Sequence, residues 1–397
     1  GAVMKRKKVE VVGIIVLTTI LNIVVACGSY LLHIPLFLDS IGTLCCVVLL
    51  GTFPGLTTAI LTNVILSLFE NSIVYYSILN ILFAWLGYVF IKRGWLQRVR
   101  GVIGYIVTSG LLTGVLGGTI QLVIKSLKPY KETVQLGEFI SKALSIDYIP
   151  SFLLSAISFS LLDRALVTLV AFAIIRMIPN RIKDYLRDWE WRMNPSMKDL
   201  YRSEKNVLGR RVCLYLHLTA VMLSVLLLIN GILVLHENHL DHMIFEYIFK
   251  VVILFSGFFL WILSFGAWFT AYFLLFPING MSKMTEEFFK DNDNEVLLHD
   301  RVENLKKLDI QTHDEVENLY HSICALASDM EQKLSDLRNQ SKMISTMQNG
   351  LLITMADMVE NRDADTGFHI QKTADYVRII LDGLKRKGYY SNRLTDK

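Results

Sequence analysis

The sequence predicts an all-α, polytopic membrane protein with eight transmembrane helices, continued by a helical cytoplasmic segment. Three observations predict it. The 397 residues are 53% hydrophobic and 19% charged, below the roughly 25% charge of a soluble domain. Apolar runs fit to cross ~30 Å of hydrocarbon recur as far as Phe276, and beyond Pro277 the composition turns charged. Lysine and arginine cluster at alternate ends of those runs, as they do when basic loops stay on the cytoplasmic side.

Residues 1–8 comprise Gly1-Ala2-Val3, read as a cloning remnant ahead of Met4, and the basic run Lys5, Arg6, Lys7 and Lys8, which holds the N-terminus in the cytoplasm. No cleavable signal peptide is expected, because the first apolar run continues to span length without a small-residue cleavage site. Spans are placed at residues 9–33, 38–51, 55–70, 74–92, 102–125, 149–178, 211–235 and 246–276. Between the short second and third spans, Gly51-Thr52-Phe53-Pro54-Gly55 fits a tight cytoplasmic hairpin. Lys92, Arg93, Arg98 and Arg100 follow the fourth span. Arg176, Arg181, Lys183, Arg187 and Arg192 follow the sixth, and Arg210 and Arg211 open the seventh. Eight crossings put every cluster on one side and place the C-terminus in the cytoplasm. The basic clusters are thereby explained by orientation, and no nucleic-acid partner is expected.

The chain therefore divides into a six-helix block (9–178), a juxtamembrane linker (179–210), a transmembrane hairpin (211–276) and three cytoplasmic pieces, 277–335, 336–358 and 359–397. Residues 181–206 are basic and carry Trp189 and Trp191. An amphipathic stretch of that kind lies along headgroups and makes an elbow between block and hairpin. Four of the five cysteines, Cys27, Cys45, Cys46 and Cys213, fall in apolar runs, and Cys324 falls in a cytoplasmic helix. Their spacing suits neither a metal site nor a disulfide framework.

Polar side chains inside hydrocarbon need a reason. The candidates are Asn22, Asp39, Asn63, Glu70, Asn71, Asn80, Gln121, Asp163 and Arg164. Asp163 and Arg164, as sequence neighbours, either tie helices together or face a ligand. Asp39, Glu70 and Asn71 fall at outer span ends, where each is a ligand contact or simply solvated. Residues 126–148 form an amphipathic lid or an ordinary loop. His236, His239 and His242 lie on the outer turn of the hairpin. Solvated histidines are the expected account there, with transition-metal binding or titration near pH 6.5 as the alternative.

Ile34-Pro35-Leu36-Phe37-Leu38-Asp39-Ser40-Ile41-Gly42, Pro54-Gly55-Leu56, and Ile149-Pro150 leading to Asp163-Arg164 within six spans resemble the S components of energy-coupling-factor vitamin transporters. The resemblance implies a vitamin-like small molecule bound toward the extracellular side; Asp39, Glu70, Asn71, Asn80, Asp163 and Arg164, polar residues of the apolar block, are the candidate contacts. Span one lacks the Ala-x-x-x-Ala spacing at which the transport partner docks in that family, which favours a receptor over an uptake protein.

Pro277 at the membrane exit, a first helix over 278–290 and His313-Asp314-Glu315-Val316 opening a second resemble a HAMP module, a parallel dimer of two helices per chain. The Asp-Glu pair suits a helix start. Val316, Leu319, Ile323, Leu326 and Met330 mark a buried stripe. Leu334, Leu337, Ser341, Ile344, Gln348, Leu351, Met355 and Met358 then follow a seven-residue repeat. That seam reads as a parallel homodimeric signalling helix, or alternatively as one amphipathic helix packing on its own domain.

Finally, Glu360-Asn361-Arg362-Asp363-Ala364-Asp365-Thr366-Gly367-Phe368-His369 resembles the opening of HD-GYP domains, which hydrolyse cyclic di-GMP at a metal centre. By that resemblance His369 is the first metal-ligating histidine and Asp365 an added carboxylate ligand. The complete domain would carry divalent Fe or Mn, whereas these residues alone are an incomplete site and the stretch to Lys397 is expected to be non-catalytic, without cofactor. The three resemblances together imply a sensor in a bacterial cytoplasmic membrane, coupling a small-molecule signal to a phosphodiesterase. The alternatives are a vitamin uptake protein and a sensor histidine kinase; against the latter, Ile370 follows His369 where a phosphoacceptor histidine has an acidic neighbour.

Overall fold

The structure, a computed structural model, describes residues 2–124, 127, 129–187, 189–194, 207–289, 295–360 and 369–389. These form helices, and among the described residues there is no strand. The chain divides into two compact units, Gly1–Lys283 with Lys307–Asn318, and Met284–Lys306 with Leu319–Lys397.

The first unit opens with α1 (Ala2–Leu31), α2 (Ile41–Leu50) and α3 (Thr52–Ser67). A 3-10 turn, Asn71–Tyr76, then enters α4 (Ser77–Lys92), followed by α5 (Val99–Val123), α6 (Lys131–Leu144), α7 (Tyr148–Met177) and α8 (Asn180–Arg187). Next come α9 (Val207–Glu237) and α10 (Ile244–Phe269). Helix α10 runs on through a π-helical segment, Thr270–Leu275, into α11 (Phe276–Phe289).

Among the described residues, six stretches are long and apolar enough to cross a membrane: Val9–Leu31, Asn71–Lys92, Val99–Val123, Tyr148–Met177, Gly209–Glu237 and Asp241–Phe288. The chain is a multi-pass membrane protein. The two predicted short spans become shorter helices, Ile41–Leu50 and Thr52–Ser67. At ~1.5 Å per residue the first reaches only about 15 Å, because residues 34–40 ahead of it are not helical. Their backbone is held by side chains instead: Ser29 Oγ donates to the Leu36 carbonyl (2.5 Å) and Leu38 N–H donates to Asp163 Oδ1 (2.9 Å). Non-helical backbone survives at membrane depth only where protein groups satisfy it in this way.

Two contacts bind the block. Asn22 donates to Thr43 Oγ1 (2.9 Å) and Thr62 Oγ1 (3.0 Å) and accepts from Gly42 N–H (2.6 Å), tying α1 to α2 and α3. Gly110, Gly114 and Gly118, one turn apart on α5, let α7 approach so closely that a Cβ at Gly114 would lie 2.6 Å from Ile157 Cα. Residues 126–148 contain a helix: α6 rests on α7, with Ser155 Oγ donating to the Thr133 carbonyl at 2.7 Å.

Helix α10 joins the hairpin to the block. Trp261 Nε1 donates to Thr57 Oγ1 (2.9 Å), and Ile253 packs with Ile78 and Leu79. Helix α9 turns away; Tyr247 Oη donates to its Leu227 carbonyl at 2.9 Å. No helix break occurs at Pro277. A proline lacks the N–H and crowds the carbonyl four residues back, here Phe273, and the chain absorbs this by widening to a π-turn just upstream.

Within the elbow the two tryptophans are covered by protein. Trp189 and Trp191 are each only 8% exposed. Trp189 stacks on Trp268 (5.5 Å between rings) and donates from Nε1 to the Leu50 carbonyl (2.8 Å). Trp191 packs on Phe276 (4.9 Å), and the Arg192 and Asn194 backbones bond Gln311 and Leu308 at 2.8 Å each. Protein aromatics therefore cover these two side chains. The rest of the linker, residues 195–206, lies outside the described residues.

In the second unit α12 (Glu295–Lys306) occupies most of the expected connector, and α13 (Glu315–Glu360) follows. They run antiparallel: His299 Nδ1 meets Glu331 at 2.8 Å, and Tyr320 Oη donates to the Lys306 carbonyl at 2.7 Å. The face of α13 that packs here carries Tyr320 and Ala327, both buried, whereas Leu319 and Leu326 of the predicted stripe are exposed. Asp314 caps the helix, accepting Val316 N–H at 3.0 Å. Helix α14 (His369–Arg386) ends the described chain.

Candidate functional site

The buried polar network centres on Ser40. Its hydroxyl lies 2.8 Å from Asp39 Oδ1 and 2.8 Å from Asn80 Oδ1, and Arg164 Nη1 donates to it at 2.8 Å. With the guanidinium as donor, the single Ser40 proton goes to the charged acceptor, Asp39. Asn80 Nδ2 donates to Asp39 Oδ2 and Asn63 Oδ1, both at 2.7 Å. Arg164 also lies over the Phe83 ring, 4.6 Å from its centre, and reaches Thr113 Oγ1 at 3.4 Å. One cation thus holds residues of α2, α4, α5 and α7 together.

Asp163 and Arg164 enter the same network. Asp163 is 2% exposed and Arg164 4% exposed, and Asp163 Oδ2 lies 3.7 Å from Arg164 Nε. That oxygen accepts no hydrogen bond, although it is buried.

Above the network a cavity of about 690 Å³ opens between α1, α3, the Asn71–Tyr76 turn and the start of α6. Asp39 and Glu70 line it together with Tyr30, Phe37, Tyr76 and Tyr130. A narrower recess of about 50 Å³ shares Phe37, Tyr76, Gln121 and Tyr130 with it and reaches Asp163 and Arg164. Phe37 packs against Tyr76 (5.7 Å) and edge-on to Tyr130 (5.4 Å). Burial, then the charges of Asp39, Glu70 and Asp163, push the Tyr130 hydroxyl up to about 12. It stays a neutral donor.

The sequence-predicted contacts therefore separate. Asp39, Glu70, Asp163 and Arg164 line the cavity or its recess, and Asn80 supports Asp39 from behind. Asn71 is exposed and is not part of the lining. Asn22 and Asn63 serve packing. Sequence reasoning missed Ser40, Tyr76 and Tyr130. Ser40 had a signal, standing beside Asp39 within an apolar run; the two tyrosines had none beyond aromatic composition.

On the hairpin turn, His236 Nδ1 meets Asp241 Oδ1 at 2.8 Å in an exposed pair. Among the described residues no group of three or more His, Cys, Asp and Glu is placed to hold a metal ion. Asp365 lies outside the described residues, and of His369 only the backbone, at the first position of α14, is described. These residues alone do not supply the donor set that a metal centre needs.

Among the described residues nothing covers most of the predicted seam. Leu337, Ile344, Leu351, Met355 and Met358 are all more than half exposed, and Ser341 and Gln348 are exposed beside them.

The chain matches no family model, no curated protein and no solved structure.

Proposed function

We propose that this chain is a membrane receptor in which a small molecule, held in the 690 Å³ cavity, biases the packing of a paired cytoplasmic helix. One observation carries the reading: the cavity and the output-bound helix share a wall. Tyr76 lines the cavity, and Tyr75 and Tyr76 pack in one apolar cluster with Phe249, Ile253 and Leu260 of α10. Helix α10 continues without a break into α11. A ligand that moves the Tyr75–Tyr76 turn displaces the helix that leaves the membrane. Such a ligand acts only if its affinity differs between the two packings.

We infer eight crossings, with α2 completed by the non-helical residues 34–40. Leu50, at the end of α2, clusters with Val11 and Trp189, and Ser40, at its N-cap, bonds Asp39 and Arg164. The pair α2–α3 then leaves the basic clusters on one side, with both termini cytoplasmic. The cytoplasmic part works as a HAMP-like relay and a parallel homodimeric coiled coil. The residues from Glu360 to His369 open a cyclic di-GMP phosphodiesterase of the HD-GYP type, in a bacterial inner membrane.

The test extends the chain with a complete HD-GYP domain and measures cyclic di-GMP hydrolysis across a panel of vitamin-like molecules shown to bind. The expected result is a change in rate for at least one bound ligand. Equal rates with every bound ligand sink the sensory reading.

A further inference from the structure

We propose that the cavity takes a small organic cation, an ammonium or cationic heteroaromatic group, with Asp39 as its counter-ion and Phe37, Tyr76 and Tyr130 as its aromatic walls. The inference rests on the receptor reading only for its choice of site; the chemistry comes from the lining.

Charge comes first. The lining of the larger cavity contains Asp39 and Glu70 and, among the described residues, no lysine or arginine. Asp39 is 7% exposed, so its carboxylate is costly to leave without a positive partner. Its hydrogen bonds come from Ser40 and Asn80, both neutral donors. Arg164, the cation of the adjoining recess, is engaged with Ser40 Oγ, Thr113 Oγ1 and the Phe83 ring. Among the described residues, one guanidinium therefore stands with three carboxylates, Asp39, Asp163 and Glu70, in the lining of two adjoining spaces.

A second, independent observation points the same way. Asp163 Oδ2 sits at the recess, 98% of its residue being shielded from solvent, and accepts no hydrogen bond; its nearest cationic atom is Arg164 Nε at 3.7 Å. A ligand N–H would supply the missing donor. Finally, Phe37 stands tilted to Tyr76 and edge-on to Tyr130 at 5.7 and 5.4 Å. Aromatic rings that line one space attract a cation through their quadrupoles, most strongly where water is excluded. An anionic ligand would meet the same carboxylates as repulsion.

The experiment uses the full chain in phosphatidylglycerol nanodiscs, titrated calorimetrically with benzyltrimethylammonium, benzyl alcohol or 3-phenylpropionate. Binding is expected for the cation at micromolar to millimolar concentration, and weaker or no binding for the neutral and anionic probes. Asp39→Asn should weaken the cation about thirtyfold or more. Glu70→Gln, at an exposed position that leaves folding untouched, should weaken it about threefold or more. The inference is overturned if the cation fails to bind at millimolar concentration, if either other probe binds as tightly, or if Glu70→Gln and a folded Asp39→Asn both leave affinity unchanged. Repeating the titration in phosphatidylcholine nanodiscs distinguishes two sources of the same chemistry. Unchanged affinity favours a soluble cation, and loss of binding there assigns the site to a choline headgroup; both outcomes support cation recognition. Spin labels at Trp85→Cys and Val252→Cys, both exposed positions on α4 and α10, separate this inference from the receptor reading. Cation binding without a distance change counts against the receptor alone. A distance change driven only by the anionic or neutral probe counts against the cation alone.

Discussion

At the scale of single residues, the burial of Arg164 has the largest energetic consequence. It is the one cation of a network that includes Asp39 and Asp163, and removing one partner of a buried charge pair leaves the other uncompensated. Arg164→Met should therefore cost about 3–5 kcal/mol, read as a lowered unfolding temperature in detergent. Adding Asp163→Asn to it should recover part of the loss, because the two effects are coupled rather than additive. A loss that the second substitution merely increases would show that Arg164 acts by packing alone. Outside the membrane, His299 gives a pH-dependent contact. Its hydrogen bond to Glu331, then that carboxylate's charge, raise the imidazole above its ordinary value. A raised folded value means that the contact adds stability below the unfolded value of about 6.5 and loses it as pH rises through the folded one. An NMR titration of His299 should show a midpoint above that of an unfolded peptide, and Glu331→Gln should bring it back. Coincident midpoints in both proteins would remove the contact from consideration.

At the scale of elements, the long apolar helices were readable because length and hydropathy alone set them. The stretch at 38–51 was not fully readable. An apolar run reports burial, and Leu36, Asp39 and Ser40 are buried in a non-helical stretch that Ser29 and Asp163 hold, not in a helix. Within the single chain the stripe on α13 is half-buried at Val316, Ile323 and Met330. Periodicity gave Leu319 and Leu326, yet Tyr320 and Ala327 face α12, because the tyrosine hydroxyl can cap the carbonyls at the end of α12. Of the site, the carboxylates were visible as polar residues in hydrocarbon, whereas Tyr76 and Tyr130 belong to segments distant in sequence that only the fold brings to Phe37. The glycine spacing on α5 was present in the sequence but went unused, and it yields an element-scale prediction. Gly114→Leu puts a side chain where Ile157 Cα already stands 2.6 Å from a would-be Cβ. Parting α5 from α7 should cost about 1–3 kcal/mol and also displace Asp163 and Arg164 from the recess. Ligand affinity and thermal stability should fall together, whereas Gly104→Leu on the same helix, where the nearest atom is 3.7 Å away, should change both far less. Equal effects at the two positions would mean that the close approach is not what positions α7.

For the whole molecule the decisive feature is an apolar face that no other described residue covers. Residues 337–359 of α13 carry Leu337, Met343, Ile344, Met347, Leu351, Leu352, Met355, Met358 and Val359, each exposed by half or more. A solitary helix with that surface in water is unstable relative to one that buries it. The seven-residue spacing of Leu337, Ile344, Leu351 and Met358 matches the seam of a parallel pair. Ser341 and Gln348 in that seam weaken it and fix its register, a property that suits a helix meant to exchange between packings. Single cysteines introduced along 337–351, in a chain freed of its five native cysteines, should crosslink in native membranes with a period of seven. Leu337→Cys, Ile344→Cys and Leu351→Cys should form the strongest dimers, and Asn339→Cys and Ser345→Cys much weaker ones. The same seam, if it relays a signal, should change its crosslinking pattern when the cavity is filled: Ser341→Cys and Gln348→Cys should gain or lose dimer relative to their apolar neighbours on ligand addition. A profile without periodicity would remove the paired helix. A periodic profile indifferent to every bound ligand would keep the pair and remove its role as a relay, since a ligand that binds both packings equally shifts neither.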